Sequence, residues 1–133
     1  VVSIFARRAL EGKDLTIYGD GSQVRSFTYV KDVVNINKFV ALTDEANGEA
    51  FNCASGLSVT IEELAQEVIK ELDQKDINII YKDWKPGDIK DFNVSHEKLE
   101  NLGFKFQYMS FSEGLSNTLA WSKDRFGEGK LDV

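Results

Sequence analysis

Apolar residues at Val1, Ile4, Phe5, Ala9 and Leu10 recur on one helical face, and Glu11-Gly12-Lys13-Asp14 then supplies a stop. Leu15 and Ile17, followed by Val24, Phe27, Tyr29 and Val30, form two short β-type runs around Gly19-Asp20-Gly21-Ser22, a pattern that predicts two strands joined by a hairpin-like connection. Val33, Val34, Ile36, Phe39, Val40 and Leu42 mark a helical stripe that opens at Asp32 and ends near Asn47-Gly48. Glu49 to Ala54 reads as a buried strand. Thr60 and Glu63 stand at capping-box spacing ahead of Ile61, Leu64, Ala65, Val68, Ile69 and Leu72, which predicts a helix with a defined start. Ile77, Ile79 and Tyr81 alternate with polar neighbours along a strand that breaks at Pro86-Gly87. Ser95 precedes a short helix from His96 to Leu102, and Leu115, Leu119, Trp121 and Phe126 line a last helix from Ser112 to Phe126.

Helices thus alternate with brief strands, too irregularly for a doubly wound sheet, and the expected class is mixed α/β or α+β. No repeat or linker divides the chain, so residues 1–126 are expected to form one domain, with 127–133 a frayed tail. The chain has no initiator methionine and a helical pattern is already under way at Val1, which suggests that further residues precede it.

Charge narrows the list of partners. With 22 acids against 16 bases the formal net charge is −6, a field that repels nucleic acid and anionic membrane surfaces. A small anion remains compatible, because two or three placed cations set a local potential whatever the overall sign. The single cysteine, Cys53, has no intrachain disulfide partner and nothing at zinc-ligand spacing, which suits a reducing cytosol. The N-terminal apolar run is too short for a signal peptide or a membrane span, so a cytoplasmic protein is expected.

Two stretches carry candidate chemistry. Arg25 sits at a strand position beside aromatics; a guanidinium there suits a phosphate, being a planar fork of donors that stays charged when partly desolvated, but an ion pair with one of the acids explains it as well. In Trp84-Lys85-Pro86-Gly87-Asp88 a cation and a carboxylate stand three residues apart across a rigid turn, placed either for a phosphate and a ribose hydroxyl or merely as a solvated turn.

Together these stretches resemble the extended short-chain dehydrogenase/reductase family that acts on nucleotide sugars, the NAD-dependent epimerases and dehydratases. The family pattern L-x-I-x-G-D-G-x-Q-x-R-(D or S)-F-x-Y-V-x-D stands complete from Leu15 to Asp32, with Ser26 where aspartate is commoner. The resemblance continues through Phe51-Asn52-Cys53-Ala54-Ser55-Gly56, the 60–72 helix, the Pro-Gly-Asp loop, Leu99 to Phe104 and Phe111 to Leu115, in family order. It implies the small substrate-binding domain of a Rossmann-type enzyme whose Rossmann domain lies outside this chain. By that resemblance Arg25 contacts a nucleoside diphosphate, and Thr16 and Tyr18 on the 15–18 strand line the base. Asn52 reaches the phosphate-ribose region, Lys85 stands where relatives carry arginine, and Asp88 contacts the ribose or orients the neighbouring cation. NAD would be held by the domain outside the chain. The implied parent enzyme is an epimerase of the UDP-glucose 4-epimerase kind; the alternatives are a dTDP-glucose 4,6-dehydratase-like or UDP-glucuronate decarboxylase-like parent, or a stand-alone binding module. The 32–42 helix and the 49–54 strand, which the family packs against its nucleotide-binding sheet, would be exposed here, and a homo-oligomer formed through them is then an expectation.

Other signals are weaker. Tyr81-Lys-Asp-Trp-Lys85 matches the family's catalytic Tyr-x-x-x-Lys spacing, but a strand end running into proline does not put both side chains on one helical face, so no catalytic residue is assigned. Gly19-Asp20-Gly21 lacks the third glycine and the following helix of a dinucleotide loop. His96 is read as a surface or capping residue, Cys53 as an inert packed thiol, and Trp84 and Trp121 as packing residues; no metal site is expected.

Overall fold

The computed structural model describes residues 1–108, 110–127 and 129. The proposed tail, 127–133, lies mostly outside them. Five helices, α1 (Val2–Leu10), α2 (Val30–Ala41), α3 (Ile61–Glu71), α4 (Glu97–Asn101) and α5 (Phe111–Gly127), alternate with four short strands, β1 (Leu15–Tyr18), β2 (Val24–Ser26), β3 (Ser58–Thr60) and β4 (Ile79–Lys82). The mixed class is as expected.

The main core forms where α1, α3 and α5 pack on one another and on β1. Phe5, Ala6 and Ala9 of α1, Leu64, Ala65 and Val68 of α3, and Leu115 and Leu119 of α5 close over Leu15 and Ile17. Alanines at Ala6, Ala9 and Ala65, all fully buried, let the helices approach closely. A second cluster joins Ile36 of α2 to Leu99 of α4 and to Phe104, with Phe51 packed against them and Phe39 and Phe106 each meeting the Phe104 ring edge-on.

The hairpin is not formed. β1 pairs in parallel with β4, Leu15 opposite Ile79 and Tyr18 opposite Lys82, whereas β2 pairs antiparallel with β3. Two local features separate β1 from β2. Gly19 and Gly21 both take positive φ, and the Asp20 carboxylate accepts from the Ser22 amide at 2.9 Å, giving a turn wider than a two-residue hairpin loop. The Gln23 side-chain amide then donates to the Tyr18 carbonyl at 2.7 Å, occupying the group that a β1–β2 ladder would need.

The 49–54 segment is also not a buried strand. It lies outside any sheet, and its only buried residue is Ala54. Side chains rather than a ladder serve its carbonyls: Thr28 donates to the Cys53 carbonyl and Lys98 to that of Ala50. Cys53 is consequently exposed rather than packed, which corrects its reading as a buried thiol. The strand that does form nearby, β3, was not evident from the pattern because Ser58-Val59-Thr60 is too short to show alternation. Trp121, at 59% exposed, is not a core residue either, and α2 leaves Val30 and Val34, and Leu42 just after it, open to solvent.

The capping box is present at α3. The Thr60 hydroxyl accepts from the Glu63 amide at 3.1 Å, and the Glu63 carboxylate accepts from the Thr60 amide at 2.8 Å. The bond from the Thr60 amide first, and second one that the Thr60 hydroxyl donates to the same carboxylate at 2.9 Å, hold the Glu63 carboxyl below the ordinary glutamate value of 4.5. A carboxylate with a depressed folded-state pKa stabilises fully above its unfolded value and loses that contribution as pH falls through the folded one. Thr60→Ala should therefore cost about 1 kcal/mol in urea unfolding at neutral pH, with the difference from wild type shrinking below pH 4.5.

Candidate functional site

β1 presents its two faces differently. Leu15 and Ile17 enter the core, so Thr16 and Tyr18 point the other way, into a cleft of about 1010 Å³ walled by Val1 and by Ile4 and Phe5 of α1. Arg25 of β2 and the loop residues Lys85, Pro86, Gly87 and Asp88 complete the lining. Five of the six residues expected in a ligand site, Thr16, Tyr18, Arg25, Lys85 and Asp88, thus converge here from three separate stretches of chain. Asn52 does not join them. It lines a separate cleft of about 190 Å³ with Ser95, His96 and Lys98, and its amide donates to the Ser95 carbonyl at 3.2 Å.

The ion-pair reading of Arg25 is the one the structure shows. Its Nη2 is hydrogen-bonded to Asp88 Oδ1, and its Nη1 donates to the Val24 carbonyl at 2.8 Å. The acid that pairs with the arginine, Asp88, is itself one of the residues expected in the site, so the ion pair orients the guanidinium on the cleft wall. Both side chains remain about a quarter exposed, which leaves donors available to a ligand.

Lys85 lies over the Tyr18 ring, its Nζ 4.0 Å from the centroid. The loop that carries it is seated by a close approach at Gly19, where φ is +92° and an added Cβ would sit 2.5 Å from Trp84 Cε2. Only glycine fits there, so Trp84 packs the loop onto the end of β1 while remaining 42% exposed.

Gln23 is a cleft residue that sequence reasoning missed. It is 4% exposed, and its Oε1 has no hydrogen-bond partner among the described residues. The Gln within the Gly-Asp-Gly-Ser-Gln run was the available signal, but nothing in sequence says that its amide turns inward.

Tyr81 and Lys85 do not form a catalytic pair. Tyr81 stands opposite Ile17 in the ladder, on the core face of the sheet, whereas Lys85 lies on the Tyr18 face. Desolvation first, and then the Glu62 carboxylate, raise the Tyr81 phenol above its ordinary value, the reverse of what a base requires. The Gly19–Gly21 turn leads into β2, not into a helix, so it is not a dinucleotide loop of the strand–turn–helix kind. His96 occupies the N-cap position of α4 without a capping side-chain bond; its ring packs edge-on to Phe106 and close against Gly56, with Nε2 3.4 Å from Glu100. Among the described residues there is no cluster of metal-ligating side chains, and no helix is long and apolar enough to cross a membrane.

Residues 1–54 match the NAD dependent epimerase/dehydratase family. The chain is 30% identical over 129 residues to a UDP-N-acetyl-alpha-D-glucosaminuronate decarboxylase of Bacillus cytotoxicus, covering 93% of this chain and 40% of that protein. It is 30% identical over 124 residues to a putative UDP-glucose 4-epimerase of Methanocaldococcus jannaschii, covering 93% and 39%. A solved UDP-N-acetylglucosamine 4-epimerase from Methanobrevibacter ruminantium, in complex with UDP-N-acetylmuramic acid, superposes with a TM-score of 0.84 at 33% identity, over 94% of this chain and 39% of that one. The chain belongs to the NAD-dependent epimerase/dehydratase family. It spans about 40% of the length of these relatives. Within the epimerase/dehydratase family the relatives are named for activities on nucleotide sugars.

Proposed function

We propose that the chain supplies nucleotide-diphosphate-sugar recognition to a cytosolic NAD-dependent nucleotide-sugar epimerase of the UDP-glucose 4-epimerase kind. The observation that carries this reading is the convergence of Thr16, Tyr18, Arg25, Lys85 and Asp88 on one cleft. The cleft is apolar along Val1, Ile4 and Phe5 and cationic along β2 and the 83–88 loop, as a flat base joined to a diphosphate requires. Arg25 takes the diphosphate, oriented by Asp88; Lys85 adds a point charge; Thr16 and Tyr18 border the base. Asn52 contributes only if the 49–54 segment, which lies outside any sheet, swings toward the cleft.

Binding energy gained at the diphosphate would hold the attached sugar in place for chemistry performed elsewhere, so these side chains affect rate while exchanging no proton with the sugar. The proposal assigns both the base and the NAD site to residues outside the chain. A decarboxylase parent is the second reading, favoured by the 30% identity to the Bacillus cytotoxicus enzyme.

Calorimetric titration of the chain with UDP and dTDP, and an assay with UDP-glucose and NAD, test the reading together. Saturable binding of one of the two nucleotides without turnover is the expected result. Turnover by the chain alone, or binding of neither nucleotide, overturns it.

A further inference from the structure

The cleft holds more positive charge than Arg25 and Lys85 supply. Arg8 of α1 and Lys82, the last residue of β4, line it as well. Four cations therefore face a single carboxylate, that of Asp88, in a chain whose formal net charge is −6. Asp88 is already engaged with Arg25. Among the described residues Arg8, Lys82 and Lys85 form no ion pair. Unpaired lysines occur elsewhere on the surface; what sets these apart is that they are gathered in one cleft.

Each of the two is placed by its element. Arg8 is half-buried, and its Nε donates to the Asp14 carbonyl at 2.7 Å; this fixes the guanidinium and leaves its terminal amino groups for another acceptor. Lys82 stands opposite Tyr18 in the parallel ladder, hence on the same face of the sheet, where the Tyr18 ring already carries the Lys85 ammonium. Like charges gathered without counter-charges repel one another, and an anion in the cleft relieves that repulsion.

We propose that Arg8 and Lys82 are further anion-binding residues of this cleft, drawing the diphosphate of the ligand in addition to Arg25 and Lys85. The inference rests on the nucleotide reading above and extends it to two residues outside the sequence motif. It also predicts the chemistry of the ligand: the cleft should select for charge, favouring a nucleoside diphosphate over the nucleoside.

The test is calorimetric titration of UDP, uridine and inorganic pyrophosphate into the wild-type chain and into Lys82→Met, Arg8→Gln, Arg8→Lys and Arg25→Ala, at low and at physiological salt. Lys82→Met and Arg8→Gln should each weaken UDP and pyrophosphate roughly tenfold and flatten the salt dependence, with uridine affinity unchanged. Arg8→Lys should recover most of the loss, because it restores the charge while breaking the bond to Asp14 that a purely structural role would need. Lys82 makes no hydrogen bond through its side chain among the described residues, so Lys82→Met decides the matter should Arg8→Gln fail to fold. Wild-type UDP affinity in Lys82→Met, with Arg25→Ala impaired, overturns this inference and leaves the nucleotide reading standing. Absence of UDP binding by the wild-type chain removes that reading and this one with it.

Discussion

Arg25→Ala should weaken nucleoside-diphosphate binding by on the order of 10- to 100-fold, the range of a lost charge-assisted hydrogen-bond pair, with little change in stability. The two effects separate because of where Arg25 sits. Its ion pair with Asp88 is a quarter exposed on both sides, so solvent screening limits its share of folding energy to about 1 kcal/mol or less. A phosphate in the cleft, by contrast, would lose its forked donor and face the Asp88 carboxylate without compensation. Arg25→Lys should recover only part of the loss, since an ammonium restores the charge and not the planar fork. Calorimetry with UDP and with uridine checks this. Equal weakening of both ligands would mean that Arg25 shapes the cleft rather than holding phosphate.

Asp32→Ala should produce a large stability loss, about 2–4 kcal/mol in urea unfolding. Asp32 is fully buried, and its two carboxylate oxygens accept separately from the amides of Gln107 and Tyr108, each at 3.1 Å. It clips the segment before α5 onto the first turn of α2, where the helix dipole also favours a negative charge. Alanine removes both acceptors at once and leaves two inward-facing amides unmet. Asp32→Asn keeps one acceptor oxygen and should fall between. The edge-on contact of Tyr29 with Tyr108, at 4.6 Å between ring centroids, depends on the same clip. A loss under about 1 kcal/mol in Asp32→Ala would show that water replaces the carboxylate without difficulty.

Asp32 illustrates how much of the site was legible beforehand. As the last residue of the Leu15–Asp32 run it reads as a helix start, and the helix does open beside it, at Val30. Nothing in sequence shows that it serves residues 75 positions away. Arg25 and Asp88 were each picked out locally, as a cation among aromatics and as the acid of a Pro-Gly turn. That they bond to each other across 63 residues is a tertiary fact.

Local chemistry carried most of the secondary structure. Helical spacing and the Thr60–Glu63 capping box are written in residues three and four apart, so the sequence alone determined α1, α3 and α5 and the turn at Pro86-Gly87. The mixed class follows from the alternation of those patterns. Strand partners are another matter. A four-residue strand has the same appearance whether it pairs with its neighbour in sequence or with a segment some 60 residues away, and only the burial of Leu15 and Ile17 beneath α1 and α3 directs β1 to β4. The same non-local packing left 49–54 without a partner and exposed Cys53. The parallel pairing also decided which face of β1 became the cleft, and so placed Lys82 beside Tyr18, brought Lys85 onto its ring, and put Tyr81 on the opposite side.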